Sequence, residues 1–172
     1  AAKHHKNFAM AIDAWQRAQV SSEWIFTAVA PAVDQRSGID LEALSRTDRP
    51  IDLRRGISNE ELHALYGEAA IVLMPSLYEG FGLPLLEGMQ AGALCVSSTA
   101  GALVEIAGGA WVQFVNGHDL PGWTQAIEEA CRTIDAPTID LEAMRAHNMQ
   151  HAAQFSWMRT AEAIAQLLDQ TT

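Results

Sequence analysis

A chain of 172 residues suits one domain with a sizeable core. It is 49% hydrophobic and 7% aromatic, and 21 Asp and Glu against 11 Lys and Arg give a formal net charge of −10, which argues against nucleic acid and against autonomous docking on anionic lipid. No apolar run approaches bilayer length, no signal peptide opens the sequence, and Cys95 and Cys131 lack both a C-x-x-C pair and metal spacing, so the expectation is a cytosolic protein with two buried free thiols.

In chain order, Lys3, His4, His5, Lys6 and Asn7 lead into Phe8, Ile12 and Trp15, an apolar face at helical spacing with Asn7 placed as its N-cap. His4 and His5 have no third ligand nearby and read as loop residues; His147 and His151 share a helix face but also lack a third partner. Residues 24–30 form the first strand, stopped by Pro31; a loop follows at 34–38, a short helix at 40–46 and a short strand at 51–54. The basic pair Arg54 and Arg55 is explained as well by a solvated strand end as by a phosphate contact. Ser58, with Glu61 three residues on, is a capping box, and Leu62, Leu65, Tyr66 and Ala69 give the buried face of its helix.

Residues 69–76 are an apolar run too short for most helices and bounded by Pro75 and Ser76, which reads as a buried parallel strand. Further on, 93–98 is another buried strand, 99–105 a turn into a helix, 111–115 a last short strand and Asn116-Gly117 a turn; helices close the chain at 120–133, 141–154 and 157–168. Strands alternating with helices specify an α/β domain, a Rossmann-like doubly wound parallel sheet with helices on both faces.

The centre of this pattern is the stretch from Glu79 to Glu87. The strand at 69–76 delivers Glu79 to its carboxyl end, Gly80 and Gly82 let the backbone turn and approach a ligand, and Pro84 suits the first helical position. The N–H groups of Phe81, Gly82 and Leu83 are then left at the positive end of a helix, a natural seat for phosphate. Glu87, one turn into the helix, places a second carboxylate at the same mouth. Carboxylates accept hydrogen bonds from diols, so a ligand with both phosphate and hydroxyls, a nucleotide sugar, accounts for acids beside an anion cradle. A glycine-rich turn with two surface acids is the plainer alternative.

The stretch Pro75-Ser76-Leu77-Tyr78-Glu79-Gly80-Phe81-Gly82-Leu83-Pro84-Leu85-Leu86-Glu87-Gly88-Met89-Gln90-Ala91-Gly92 closely resembles the signature of retaining family 4 glycosyltransferases of the GT-B fold. That resemblance implies that Glu79 lies against the donor sugar as the catalytic-site acid, that Glu87 holds the nucleotide ribose, and that the backbone of Gly80, Phe81, Gly82 and Leu83 meets the diphosphate. It extends to the His-Lys-Asn opening of the first helix, where Lys6 matches the lysine of a basic pair on the diphosphate. The arginine of that pair, carried by the end of the family's first strand, has no counterpart. By position, Gly56 and Ile57 would line the nucleotide base. Glu105 is where the family commonly has a glutamate and is expected to be structural, an acid in the first turn of a short helix. Residues 155–161 are similar to the opening of the family's last helix, which makes Trp157 either an interdomain or a core residue. Ala30-Pro31-Ala32 departs from the family's usual glycine after the first strand present.

Together these implications describe residues 1–172 as the donor-binding C-terminal domain of a longer enzyme, with its first strand and N-terminal acceptor domain absent. The expected activity is retaining transfer of a hexose, often mannose in similar enzymes of surface-polysaccharide assembly, from a UDP- or GDP-linked donor to a glycan or lipid-linked acceptor. No metal or other cofactor is expected, since no Asp-x-Asp occurs. Peripheral attachment to the inner face of a membrane would belong to the missing domain. Three rivals stand beside this reading: a nucleotide-sugar binding module without catalysis, a nucleotide-sugar epimerase of the same fold, and a glycosidase acid and nucleophile pair.

Overall fold

The structure is a computed structural model that describes residues 3–30, 49 and 51–169, with side chains from residue 5 onward. A 3-10 turn at Lys3–Lys6 leads into α1 (Phe8–Arg17), followed by β1 (Phe26–Ala30), β2 (Ile51–Arg55), α2 (Asn59–Glu68), β3 (Ile71–Met74), α3 (Leu83–Gln90), β4 (Leu94–Ser98), α4 (Leu103–Ala107), β5 (Val112–Val115), α5 (Leu120–Asp135), α6 (Leu141–Ala152) and α7 (Trp157–Asp169). The loop expected at 34–38 and the helix expected at 40–46 lie outside the described residues.

The strands pair in parallel in two groups, β1 with β2 and β3 with β4 and then β5; Val72 stands opposite Cys95, and Cys95 opposite Val112. Side-chain parity then builds the layers. Ile71 and Leu73 of β3, with Leu94 and Val96 of β4, join a cluster with Trp15 of α1 and Trp123, Ile127 and Cys131 of α5. Val72, Met74 and Cys95 point the opposite way, into a second cluster with Leu85 and Met89 of α3, Leu103 and Ile106 of α4 and Ala152 of α6. Alternate residues of one strand feeding two cores is what a parallel strand covered on both faces requires. The expected α/β fold with helices on both faces is therefore the observed one.

The direction of α1 fixes how the two groups run. At its start, Asn7 Nδ2 donates to Pro75 O (3.0 Å) and Gly117 O (2.8 Å), just past β3 and β5. At its end, Gln16 Nε2 donates to Arg49 O (2.6 Å), two residues before β2, while the Arg49 guanidinium donates to Trp15 O, Ala18 O and Val20 O and lies 4.3 Å over the Trp15 ring. Helix α1 thus runs from the carboxyl end of β3 to the amino end of β2 and β1, antiparallel to both groups, so all five strands point the same way.

Five expectations need correcting. Asn7 does not cap α1 through its side chain: its backbone is left-handed (φ 55°), and its amide crosslinks two strand ends instead. Pro84 occupies the second helical position, since α3 starts at Leu83; at either position its missing N–H costs no intrahelical bond. The run at 69–76 is a strand over four residues only, and Ile71, Val72 and Leu73 are half-buried, whereas Cys95 and Val96 of β4 are fully buried. Helix α2 carries the expected capping box but has no buried residue, Leu62, Leu65 and Tyr66 being half-exposed. Both shortfalls have one cause: α2 and the outer edge of β3 border an open slot between β1 and β3. Trp157, 85% exposed, is not a core residue.

Candidate functional site

Glu79 sits in the segment that links β3 to α3, and its neighbours hold it from several elements. Its Oε1 accepts from Lys6 Nζ at 2.6 Å and from Ser76 Oγ at 2.8 Å, and its side chain is only 11% exposed. Ser76 is fully buried, and its carbonyl in turn accepts from the Ser98 hydroxyl at the end of β4. Backbone bonds extend the lattice: Leu77 N donates to His5 O (2.6 Å) and Ala102 N to Glu79 O (3.4 Å). The 3-10 turn, the end of β4 and the turn before α4 therefore fasten the Ser76–Glu79 segment, while Lys6 and Ser76 hold its carboxylate. Its second oxygen, Oε2, has no protein partner among the described residues.

The following turn is shaped by two glycines the protein itself demands. Gly82 has φ 101°, and a Cβ there would stand 2.5 Å from Leu103 Cδ2 in the core. Gly101 has φ 54°, and its Cβ would stand 2.5 Å from Glu79 O. Gly80 differs: its φ is not positive and a Cβ would meet nothing within 4 Å, so the expectation that its backbone needs glycine to turn is not met, and the space in front of it is open. The N–H groups of Phe81, Gly82 and Leu83 have no acceptor among the described residues, while Gly82 O already accepts from Leu85 and Leu86. Phe81 is anchored by its ring, 6.3 Å edge-on to Phe155, which contacts His151 in the same way.

Glu87 lines a cavity of about 770 Å³ together with Lys6, Ser76, Pro84 and Tyr66. Burial, and secondly the charge of the nearby Glu87 carboxylate, push the Tyr66 phenol well above its ordinary value, so Tyr66 stays neutral beside Glu87. Lys6, Glu79 and Glu87 are thus brought to one edge, beside a turn in which Phe81 and Leu83 are exposed and Gly82 is buried. Gly56 and Ile57 lie just past β2, at the carboxyl edge of the other strand pair, and do not line this cavity. Gly56 N donates to Ala30 O, and its φ of 60° suits glycine.

Ser76, Ser98 and Gly101 are the residues that sequence reasoning passed over. Ser76 shares side-chain parity with Val72 and Met74, which places it under the β3–α3 turn, and a buried hydroxyl there needs an acceptor. Among the described residues no three His, Cys, Asp or Glu side chains gather as metal ligands; His147 and His151 reach Gly109 O and Ile106 O from α6 and fasten that helix to the α4 region.

A family model described as Glycosyl transferases group 1 matches residues 1–133. The MMP alpha-(1->4)-mannosyltransferase of Mycolicibacterium hassiacum is 38% identical over 109 residues, 62% of this chain and 26% of that protein. The D-inositol 3-phosphate glycosyltransferase of Mycolicibacterium smegmatis is 35% identical over 108 residues, 62% of this chain and 24% of its own length, and the serotype-specific mannosyltransferase WbdA of Escherichia coli is 37% identical over 105 residues, 61% of this chain and 12% of its own. The matched stretch is thus about a quarter of these relatives or less. Among solved structures, a sucrose-phosphate synthase from Thermosynechococcus elongatus superposes with a TM-score of 0.78 at 22% identity over 98% of this chain and 43% of that one. A trehalose 6-phosphate synthase from Burkholderia multivorans gives 0.73 at 19% identity, over 98% and 42%. These two likenesses show a shared fold.

Proposed function

The chain belongs to the Glycosyl transferases group 1 family, and from that premise we propose that it is the donor-binding, C-terminal half of a longer GT-B glycosyltransferase that transfers a hexose, with retention, from a UDP- or GDP-linked donor to a glycan or lipid-linked acceptor. The observation that carries this reading is the one-sided satisfaction of Glu79: Oε1 is fixed by Lys6 and Ser76, while Oε2 is left to accept from a sugar hydroxyl. The N–H groups of Phe81, Gly82 and Leu83 receive the diphosphate, Gly80 leaves room for its approach, and Glu87, beside Tyr66, accepts from the ribose hydroxyls. Gly56 and Ile57 meet the base from the other strand pair.

As the bond to the sugar breaks, negative charge develops on the departing diphosphate. The helix end and the Lys6 ammonium, held in place by Glu79, stabilise that charge with little reorganisation. Glu79 orients the sugar and need not act as a nucleophile. Relatives named as mannosyltransferases support a mannosyl donor. Since the matched stretch is a small part of those relatives, the acceptor site belongs to the rest of the enzyme, and this chain alone binds donor nucleotide weakly and turns nothing over.

Calorimetric titration with UDP, GDP and ADP tests the reading. One base is bound, and Glu87→Ala weakens it by about 1–3 kcal/mol, the loss of a charge-assisted hydrogen bond. Affinity that is unchanged in Glu87→Ala removes the ribose role.

A further inference from the structure

The turn from Glu79 to Leu83 is fastened differently at its ends and at its middle. Glu79 is held by Lys6, by Ser76 and by the bond from Ala102 N to its carbonyl, and Gly82 is buried against Leu103 with its own carbonyl accepting from Leu85 and Leu86. Between them, Gly80 and Phe81 take part in no hydrogen bond among the described residues, and a Cβ on Gly80 would meet nothing within 4 Å. Phe81 is 44% exposed, so burial in the core does not fix it either. What reaches this middle is a ring: Phe155 meets Phe81 edge-on, with 6.3 Å between centroids and 84° between planes, the arrangement that aromatic quadrupoles favour. Phe155 is itself well placed. It packs on the core shared by α3, α4 and α6, at the corner where α6 ends and α7 begins, and its N–H donates to Ala152 O. Ser156 Oγ accepts from Arg159 N, and the Arg159 guanidinium returns to Gln154 O, which closes the corner. On its other side lies His151, edge-on at 5.6 Å, whose Nε2 is 2.8 Å from Ile106 O. Gly108 leaves room for that imidazole, since a Cβ there would stand 2.8 Å from His151 Cε1.

We propose that Phe155 is a positioning residue for the donor site: through the Phe81 ring it holds Gly80 and Phe81 in the one backbone conformation that presents the N–H groups of Phe81, Gly82 and Leu83 together, before any ligand arrives. The identity of what those groups receive rests on the donor reading; the fastening of the turn does not. Without the ring, two residues that lack hydrogen bonds have to be ordered at the moment of binding, and that entropy is taken from the affinity. The effect is local to the diphosphate. Glu87, one turn into α3, and Gly56 and Ile57, on the other strand pair, meet the nucleoside and are held by other contacts. Phe155 touches no ligand and acts only through Phe81.

Phe155→Leu, which keeps an apolar side chain at the corner and removes the ring, tests the proposal in two ways. In the ligand-free chain, the backbone amide order parameters of Gly80 and Phe81 should fall from the rigid range, about 0.85, to below about 0.6, while those of Leu94–Ser98 stay unchanged. In calorimetry, the affinity for whichever of UDP, GDP and ADP the parent chain binds should drop about 10-fold, with that for the corresponding nucleoside unchanged. Phe81→Leu should reproduce both effects, and the double variant should lose no more than either single one, because each removes the same contact. Should Phe155→Leu fold poorly, Phe81→Leu, at an exposed position, gives the same order-parameter comparison. Order parameters that stay in the rigid range overturn the proposal. Equal losses for diphosphate and nucleoside, or losses that multiply in the double variant, overturn it as well, because Phe155 then acts on the fold at large. The order parameters need no nucleotide, so a parent chain that bound none of the three would refute the donor reading while the fastening of the turn is still decided.

Discussion

The two strand groups are held by different means. At the carboxyl edge of β3 and β4, a small polar lattice of Lys6, Ser76, Glu79 and Ser98 lies over an apolar core, with both serines fully buried. Among the described residues, the β1–β2 pair is joined to the rest by apolar contacts with α1 and by Arg49, which gathers the last carbonyls of that helix and the chain beyond it. The difference teaches where precision is needed. A buried carboxylate with one committed oxygen tolerates little displacement, whereas the other group mainly has to be kept in place beside the slot.

Substitutions should separate the two regions. Gly101→Ala forces a Cβ against Glu79 O at a left-handed backbone, and should cost about 3 kcal/mol in chemical denaturation while abolishing donor binding. Arg49→Ala removes charge-assisted bonds to several carbonyls and should cost about 2 kcal/mol, yet leave nucleotide affinity unchanged in calorimetry. Loss of affinity in that variant would erase the distinction between the regions.

A third effect is read through pH. Burial pushes the Cys95 thiol from 9.0 up to about 12. In that window the unfolded chain has released the proton and the folded chain has kept it, so stability is full below pH 9 and falls by about 1.4 kcal/mol per pH unit above it. Cys131, raised to about 11 by burial and then by Asp135, adds a shorter decline of the same sign. Denaturation midpoints from pH 8 to 10.5 should therefore fall less steeply in Cys95→Ala. The smallest effect is that of Ser76→Ala, about 1 kcal/mol in stability, with a few-fold weaker donor binding as Glu79 loses one of its two anchors.

Much of this architecture was legible in sequence because short apolar runs alternate with capped helices, and Ser58 with Glu61 forms the capping box that their spacing announces. The convergence of Lys6 and Glu79, 73 residues apart, could be reached only through family resemblance, since no local rule joins them. What pattern could not show was parity across strands. Ser76 and Ser98 read as strand ends, and only the parallel pairing of β3 with β4 reveals that one hydroxyl holds Glu79 and the other holds the carbonyl of Ser76. Asn7 misled for a similar reason: its residue type fits a cap, but two distant carbonyls offered its amide better partners. The apolar run around β3 reads as buried from composition, while burial depends on neighbours that its own residues do not specify.

The most direct test of the central claim, that the β3–α3 turn is the seat of a donor diphosphate, is to follow backbone amide resonances while adding the preferred nucleoside diphosphate, with the parent nucleoside as control. The account predicts that the largest shifts fall on Phe81, Gly82 and Leu83 with the diphosphate and are nearly absent with the nucleoside. Shifts of equal size with both, or centred away from this turn, would contradict it.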